Sequence, residues 1–434
     1  MNPTRSFSPT RSAAQALDTA DELAPFRRRF HLPRPQRDAE AARQPVVYLC
    51  GHSLGLQPRH AADLVGEVLT DWQRLAVDAH FDAGRPWYSY HEQVTGGLAR
   101  VAGCQPDEVV AMNSLTANLH LMMAGFYRPD GARHRILIES GAFPSDRYAV
   151  DSQLRWRGLD PATARLDIAP REGEHALRTD DIVATIDRHA DTLALVLLPG
   201  VQYLSGQLLD IAAIARTCRR HGIVFGVDAA HAIGNVALRL HDWDVDFAVW
   251  CSYKYLNAGP GAVAGCFVHA RHARRTPALA GWWGHDKRRR FRMAPDFDPI
   301  PGAEGWQLSN PSVLALAPLI ASLELFDEAG IRRLAAKSRR LTGYLEYLLT
   351  EWLPREVEIL TPAERGAQLS VRLRVEPARA HAAFERLRAA GIVADWRAPD
   401  VIRMAPVPLY NRFQDAWLAA DALTRVLGTG RTGG

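Results

Sequence analysis

Short apolar runs alternate with amphipathic helical patterns through the first three quarters of the chain. The runs are too short for helices and are flanked by polar or turn residues, so each predicts a buried strand. Strand, helix and strand in succession indicate βαβ units and a parallel sheet, whose ligands bind beyond the carboxyl ends of the strands. The predicted strands are Pro45–Cys50, Glu108–Met112, Arg135–Glu139, Leu193–Leu198, Ile223–Val227 and Phe247–Trp250, and helices are predicted at Arg59–Leu75 and Ile211–Arg220.

The pattern changes after about residue 312, where two helical stretches, Val313–Glu328 and Ile331–Trp352, are followed by alternating apolar and polar positions. The alternation over Gln368–Val375 predicts a half-buried strand. Strand and helix with amphipathic patterns suit a compact second domain. Its further predicted elements are a helix over Ala378–Ala390, strands over Ile392–Trp396 and Val401–Ala405, and a closing helix.

Three regions follow from these patterns: an N-terminal arm and helix over residues 1–58, a large domain over 59–311, and a small domain over 312–434. We expect the first dozen residues to be disordered and to be followed by a surface helix. The sequence contains no internal repeat and no low-complexity linker.

Composition excludes several classes of protein. Of the 434 residues 47% are apolar and 23% charged, which is ordinary for a globular protein, and a net charge of +4 does not suggest nucleic acid binding. No apolar run approaches the roughly 18 residues of a membrane span, and the N-terminus has no signal-peptide core. The five cysteines have no C-x-x-C spacing, which argues against disulfides and a zinc site and for a reducing cytoplasm.

Two chemically distinctive residues follow neighbouring predicted strands. Asp228 ends one apolar run, with His231 three residues later, and Lys254 follows the next run between Tyr253 and Tyr255. An acid and a lysine at adjacent strand ends resemble the working parts of a pyridoxal phosphate (PLP) site. In such a site the lysine forms the Schiff base and the acid faces the pyridine nitrogen.

Two further stretches could take part in such a site. Asn113–Thr116 reads as the cap of a helix that begins near Ala117, and a helix N-terminus can hold a phosphate. Phe143 follows a predicted strand and could stack on a flat cofactor. Each feature taken alone is more often structural, as a cap or as a packing residue.

Three motifs suggest other functions but lack the required context. Gly51–Gly55 matches the G-x-S-x-G nucleophile elbow, which would make Ser53 a nucleophile, but no helix clearly follows, and a Gly-bounded turn is favoured. Gly259–Ala264 fits G-x-G-x-x-A yet runs into a strand-like segment. The basic run Asp286–Arg292 is isolated in a nearly neutral chain, so we expect a solvated loop rather than a nucleic-acid contact.

The chain resembles the kynureninase family, PLP-dependent enzymes of fold type I in the aspartate-aminotransferase-like superfamily. The resemblance covers residues from about 45 to 411. It implies an α/β fold with a large domain, whose mainly parallel central sheet is flanked by helices, and a smaller C-terminal α/β domain joined by the N-terminal segment. The matching stretches are YLCGHSLGLQPR, NSLTANLHLMM, ESGAFPSDRYAV, VDAAHAIGNVALRLHDWDVDFAVWCSYKYLNAGPG, GWWGH, LSNPS and RMAPVPLYN.

The resemblance implies a role for each matching residue. Lys254 would form the Schiff base, and Asp228 would pair with the pyridine nitrogen, with Tyr253 as the third catalytic residue. Arg403 would bind the substrate α-carboxylate, for which a guanidinium can provide two parallel N–H groups. The further cofactor-binding residues implied are Leu115, Thr116, Phe143, Pro144, Ser145, Asp146, His231, Trp282 and Asn310, and the substrate-binding residues are Ser53, His80, Asn310 and Arg403. Trp282 and Asn310 would reach the site across the interface of an obligate homodimer.

The resemblance is incomplete at two places. His52 stands where the family leads us to expect Asn, and the loop VDAHFDAGRPW matches only at His80 and at RPW. Both departures concern the substrate pocket rather than the cofactor site.

The implied activity is hydrolytic cleavage of L-kynurenine or 3-hydroxy-L-kynurenine, giving anthranilate or 3-hydroxyanthranilate and L-alanine. A cysteine desulfurase or a kynureninase paralogue with a modified substrate is the alternative enzyme. A desulfurase needs a mobile, reactive cysteine near the site. Cys251 lies three residues before Lys254, where we expect the strand to continue, and this position suits packing better than a mobile nucleophile. A regulatory or binding protein on this fold would need a fused DNA-binding segment, for which the N-terminal arm is too short.

Overall fold

The computed structural model describes residues 7–34 and 46–428. A seven-stranded sheet lies at the centre of the large domain, in the order β2-β8-β7-β6-β5-β3-β4. Only β8 runs antiparallel to its neighbours, so the expected mainly parallel sheet is confirmed. The strands are β1 Val47–Tyr48, β2 Val109–Ala111, β3 Arg135–Glu139, β4 Arg165–Ile168, β5 Leu193–Pro199, β6 Val224–Asp228, β7 Phe247–Trp250, β8 Gly265–Val268, β9 Val357–Ile359, β10 Leu369–Leu373, β11 Ile392–Val393, β12 Asp395–Arg397 and β13 Val401–Met404.

Helices cover the central sheet and fill the second domain. The apolar strands are buried because helices pack against the sheet. Within the described ranges, no helix is long and apolar enough to cross a membrane. The helices are α1 Arg11–Thr19, α2 Ala61–Leu75, α3 Ala79–Asp82, α4 Thr95–Ala102, α5 Leu115–Phe126, α6 Pro144–Trp156, α7 Pro161–Ala164, α8 Thr179–Arg188, α9 Ile211–Arg220, α10 Val313–Ala329, α11 Ile331–Trp352, α12 Pro377–Ala389 and α13 Phe413–Leu427.

The C-terminal part has its own sheet and core. Strands β12, β13, β10 and β9 form an antiparallel sheet in that order, which packs with α11, α12 and α13 around a separate apolar cluster. The N-terminal segment joins this part, because β1 pairs in parallel with β11 through Val47 and Ile392. The fold expected for the chain is therefore found. The boundary at residue 312 stays a prediction, and α10, which follows it, contributes to the core of the large domain.

Several element bounds differ from the predicted ones for local reasons. The run Ile392–Trp396 splits into β11 and β12, which pair with different strands, β1 and β13. Helix α5 begins at Leu115 because Ser114 is extended and forms the N-cap. The chain is already helical from Arg11, so the expected disorder is wrong for residues 11 and 12. Residues 1–6 of that prediction lie outside the described part.

The basic run is also not simply a solvated loop. Arg290 is buried, donates to the carbonyl oxygens of Trp283 and His285, and lies with its guanidinium carbon 4.2 Å from the Trp283 ring centroid. The expectation was wrong at this residue because the arginine faces an aromatic ring and backbone acceptors. Arg288 and Arg289 are exposed as expected.

Candidate active site

One cavity of about 250 Å³ lies at the carboxyl ends of the parallel strands. It is the position that a parallel sheet predicts for a ligand. Both domains line it, because β13 of the small domain reaches the rim. Eleven of the residues implied by the resemblance line this cavity: Ser53, Leu115, Thr116, Phe143, Ser145, Asp146, Asp228, His231, Tyr253, Lys254 and Arg403.

Lys254 lies in a tight turn just after β7. The amide of Asn257 donates to the Lys254 carbonyl at 3.0 Å, and Asn257 has the left-handed φ of 52° that Asn tolerates. The turn directs the side chain into the cavity. The Lys254 Nζ lies 5.8 Å from the Phe143 ring centroid.

Three carboxylic acids, Asp228, Asp146 and Glu139, line one side of the cavity. Asp228 ends β6 and accepts the Ala230 amide at 2.8 Å. Burial and then the adjacent Asp228 carboxylate raise the pKa of Asp146 well above its ordinary value. Burial also raises the pKa of Glu139 to about 7, assisted by Asp228 and opposed by a hydrogen bond from Gln202. Burial therefore favours the neutral form of both Asp146 and Glu139.

The start of α5 faces the cavity with its backbone N–H groups uncapped by any side chain. A left-handed residue, Asn113 with φ of 50°, turns the chain from β2 into the helix. Asn118 fixes this turn by accepting from Asn113 at 3.0 Å and donating to the Met112 carbonyl at 2.9 Å. Free N–H groups at a helix start are an anion site when side-chain hydroxyls lie beside them.

The hydroxyls are present, since Thr116 Oγ1 and Ser145 Oγ lie 2.8 Å apart in the cavity wall. Ser145 belongs to the first turn of α6, which begins at Pro144 directly after β3 and its loop. Two helix starts therefore meet at one place. Pro144 itself is the first residue of α6 and is not part of the cavity lining.

Arg403 is the buried cation of the opposite wall. It is 1% exposed and projects from β13, where its Nε donates to Asp395 at 2.6 Å and its Nη1 to the Tyr203 carbonyl at 2.6 Å. Arg397 also pairs with Asp395, at 2.9 Å, and lines the same cavity. This wall can therefore bind an anion.

The G-x-S-x-G motif forms a tight turn against the lysine segment and is not a nucleophile elbow. One bend and irregular backbone, rather than a helix, follow Ser53, whose amide donates to the Cys50 carbonyl. A Cβ added to Gly51 would lie 2.2 Å from the Tyr410 hydroxyl, and one added to Gly55 would lie 2.4 Å from the Lys254 carbonyl oxygen. The glycines are needed for close approach, as the favoured interpretation required.

Besides Pro144, three implied residues lie outside this cavity of the single chain: His80, Trp282 and Asn310. The His80 ring lies 6.5 Å from that of Phe81, which neighbours Phe291, and Phe291 contacts Trp282 at 5.6 Å. The chain segments of Trp282 and Asn310 are adjacent, because the Trp283 amide donates to the Leu308 carbonyl. Trp282 is 41% exposed and Phe291 54%. The rings of His80, Phe81, Phe291 and Trp282 thus form one aromatic surface, which we call the aromatic patch, and the segment of Asn310 lies beside it.

Comparison with known proteins gives the family. The chain is 57% identical over 410 residues to the kynureninase of Xanthomonas campestris pv. campestris strain 8004, covering 94% of this chain and 95% of that protein. It is 56% identical to the kynureninase of Xanthomonas euvesicatoria pv. vesicatoria, covering 95% of this chain and 99% of that one. The chain belongs to the kynureninase family. Residues 334–423 also match the kynureninase C-terminal domain.

Solved structures with the same fold are more distant. The cystine C–S lyase C-DES, in complex with cysteine persulfide, has a TM-score of 0.73 and 20% identity over 87% of this kynureninase-family chain and 97% of its own. The cysteine desulfurase CsdA of Escherichia coli has a TM-score of 0.73 and 16% identity, covering 94% and 99%. At this identity the likeness shows the fold alone. Cys251 is buried, and burial raises the pKa of its thiol, which suits packing rather than desulfurase chemistry.

Three polar residues that line the cavity were not predicted from the sequence of this kynureninase-family chain: Glu139, Tyr203 and Arg397. Glu139 carried a usable signal, because it is the last residue of a parallel strand, where ligands bind. Tyr203 and Arg397 carried none. Tyr203 lies in a loop, and Arg397 is on a small-domain strand whose neighbours in space cannot be read from spacing alone.

Proposed function

We propose that this chain is a PLP-dependent hydrolase that cleaves L-kynurenine or its 3-hydroxy form to anthranilate or 3-hydroxyanthranilate and L-alanine. The observation that carries the proposal is the 57% identity to a kynureninase over 94% of the chain. The convergence of Lys254, Asp228 and Arg403 on one cavity supports it. A fold neighbour, a mutant of C-DES with glycine covalently linked to its PLP cofactor, is consistent with the same cofactor.

The residues of the cavity fit pyridoxal phosphate. The Lys254 Nζ and the Phe143 ring face each other at 5.8 Å. His231 Nδ1 and Asp146 Oδ1 are buried without a hydrogen-bond partner among the described residues, as expected of groups that a ligand would satisfy. The uncapped start of α5, with Thr116 and Ser145, would hold the phosphate. Phe143 would stack on the pyridine ring, and His231 would lie close to the same ring. Asp228 would face the pyridine nitrogen.

The reaction divides between the cofactor and the protein. When bound, pyridoxal phosphate supplies an aldehyde for the substrate amino group and a protonated ring that withdraws electrons from the substrate Cα. Asp228 would keep the ring nitrogen protonated by its opposite charge. Lys254, once free of the cofactor, would remove the proton from Cα with its Nζ. The Tyr253 hydroxyl, whose pKa is raised by burial, would stay protonated and donate a hydrogen bond to the phosphate.

Substrate binding would use the opposite wall. Arg403 is held in place by Asp395 and the Tyr203 carbonyl, which leaves N–H groups of its guanidinium for the α-carboxylate. The Ser53 hydroxyl lines the same side of the cavity. Together these groups would orient Cα towards Lys254.

We further propose a homodimer in which the aromatic patch completes the site of the partner. The patch exposes large apolar side chains, including Phe81 at 60% and Phe291 at 54%, and such surfaces commonly mark interfaces. His80, Trp282 and Asn310 lie on or beside it and outside the cavity of their own chain.

All five cysteines are free, which agrees with a cytoplasmic location.

The proposal is tested with purified protein and L-kynurenine. The protein should be yellow, and borohydride should fix the chromophore on Lys254. Anthranilate fluorescence should appear with L-kynurenine and vanish in Lys254→Ala, whereas Asp228→Ala should lose most activity without unfolding. A yellow protein that releases no anthranilate would leave the cofactor in place and overturn the reaction.

A further inference from the structure

The His52 side chain is fully buried and lacks any hydrogen-bond partner among the described residues. It is 1% exposed, and both ring nitrogens, Nδ1 and Nε2, are unpaired. A buried polar group without a partner is costly in a folded protein and is usually satisfied by a ligand or water. His52 lines the active-site cavity next to Ser53, so a ligand there can reach it.

The GHSLG turn fixes this ring in place from both sides. Gly51 packs against the Tyr410 hydroxyl, and Gly55 packs against the backbone of Lys254. The backbone of Cys50 forms an isolated parallel β-bridge with that of Ala405, which lies two residues after Arg403. The backbone around His52 is therefore anchored to the lysine turn and to the arginine strand at once, and the ring lies between them.

Three positively charged side chains lie near the ring, together with the Asp395 carboxylate that pairs with two of them. Burial, and then the charges of Arg403 and Lys254, hold the pKa of His52 well below its ordinary value. Arg397 lies on the same side and also lowers it. A neutral imidazole retains one N–H donor. The three cations that act on the ring would attract an anion to this part of the cavity.

A metal ion does not suit this location. Ligand atoms of Cys50, His52 and Asp395 lie within 4.8 Å of one another, but the Asp395 carboxylate is already bound by Arg403 and Arg397. Cations on these arginines and on Lys254 repel a further cation. An anionic group is the better match.

We propose that His52 donates a hydrogen bond to the α-carboxylate of the amino-acid substrate, alongside Arg403. The inference rests on the proposed function, because a substrate whose amino group is drawn to Lys254 carries its carboxylate towards the arginine wall. The carboxylate is the anionic group of kynurenine that can lie between Lys254 and Arg403. His52 is thus a binding residue shared by the substrate and by the product L-alanine.

The test compares His52→Leu, which keeps similar bulk and removes both nitrogens, with His52→Asn, which keeps one side-chain donor. L-Alanine and L-alaninamide are titrated into the holoenzyme and followed by the absorbance of the bound cofactor. A hydrogen bond to a charged group predicts about tenfold weaker L-alanine binding in His52→Leu. His52→Asn should stay within about threefold, since the amide can replace the donor. His31→Asn, at an exposed site, is the matched control and should not change.

The alaninamide titration separates binding from general damage. Without the carboxylate charge, L-alaninamide should lose less than about threefold in His52→Leu. The KM for L-kynurenine should rise about tenfold in this variant, with kcat within about threefold. Equal losses for both ligands, or unchanged L-alanine binding, would overturn the inference. If His52→Leu does not fold, His52→Ala replaces it in the same titrations. Wild-type protein that releases no anthranilate would instead contradict the proposed function.

Discussion

The backbone amide of Gly55 donates a hydrogen bond to the carbonyl oxygen of Tyr253, with an N···O distance of 2.8 Å. This bond joins the N-terminal GHSLG turn directly to the turn that carries Lys254. The two segments are far apart in the chain and belong to different regions of it. The lysine is therefore positioned partly by the N-terminal arm, which also pairs with the small domain through β1 and β11.

Gly55→Ala should damage the site because no space exists for a side chain. The added Cβ would lie 2.3 Å from Asn257 Oδ1 and 2.4 Å from the Lys254 carbonyl oxygen. Relieving contacts this short requires the lysine turn to move, at a cost of about 1–3 kcal/mol in unfolding free energy. We expect a loss of at least about tenfold in kcat/KM, which is measured by anthranilate release.

Gly66→Ala is the control for this substitution. A Cβ at Gly66, which lies within α2, meets nothing within 4 Å. Alanine is favoured over glycine in a helix by about 1 kcal/mol, so this variant should be at least as stable as the wild type and equally active. Equal kinetic losses in both variants would contradict the positioning role of the Gly55 contact.

The sequence predicted the cofactor side of the site better than the substrate side. Asp228 and Lys254 follow buried parallel strands, and the carboxyl ends of such strands meet at one edge, so their proximity could be inferred from the strand pattern. The capping residues Asn113–Thr116 predicted a helix that begins near Ala117, and α5 begins two residues earlier, at Leu115. These features depend on local sequence and on the sheet.

The substrate side depends on contacts that local patterns do not encode. Arg397 reaches the cavity because β12, which carries it, is separate from β11 and pairs with β13 instead of with β1. The sequence predicted one continuous strand over both elements. The grouping of His80 with Trp282 arises from loops far apart in the chain. The resemblance to a family supplied His80 and Trp282, which periodicity could not, and neither of the two supplied Arg397.

Arg403→Lys should weaken substrate binding although the charge is retained. The arginine donates to Asp395 and to the Tyr203 carbonyl while it faces the cavity, and a lysine ammonium cannot reproduce this fork. Losing a hydrogen bond to a charged group costs about 1.5–3 kcal/mol, so the KM for L-kynurenine should rise at least about tenfold.

Arg397→Lys is the matched comparison. The Arg397 side chain is 39% exposed, so this substitution should raise the KM for L-kynurenine by about threefold or less. Steady-state kinetics of both variants decide this, and a larger effect in Arg397→Lys would reverse the assignment.

Mixing inactive subunits should restore activity if the aromatic patch completes the site of a partner. One subunit carries Lys254→Ala, and the other carries Trp282→Ala with Asn310→Ala. In a mixed dimer one site combines the intact cavity of one subunit with the intact patch of the other, so random pairing should recover about a quarter of wild-type activity. Unfolding, mixing and refolding are followed by the anthranilate assay.

The control mixes Lys254→Ala with Asp228→Ala subunits. Both residues line the same cavity of one chain, so every site of a mixed dimer would contain one defect and no activity should return. Recovery in this control, or no recovery in the first mixture, would refute the shared site.

Glu139→Gln should change how stability depends on pH. Burial raises the pKa of Glu139 from 4.5 to about 7 in the folded protein, so the fold favours the neutral carboxyl. The stability that this group contributes is fully present below about pH 4.5 and is lost as the pH rises through about 7. A shift of this size corresponds to at most about 3 kcal/mol. Because Gln is neutral at every pH, the variant lacks this loss, and its Tm should exceed that of the wild type by a few degrees at pH 8 and not at pH 4.5.

Glu385→Gln provides the control, because Glu385 is exposed on α12. Calorimetry of the three proteins from pH 4.5 to pH 8 gives the difference in Tm between each variant and the wild type. The difference for Glu139→Gln should rise with pH, whereas that for Glu385→Gln should stay flat. A flat or falling curve for Glu139→Gln would mean that the Glu139 carboxyl is ionised across this range.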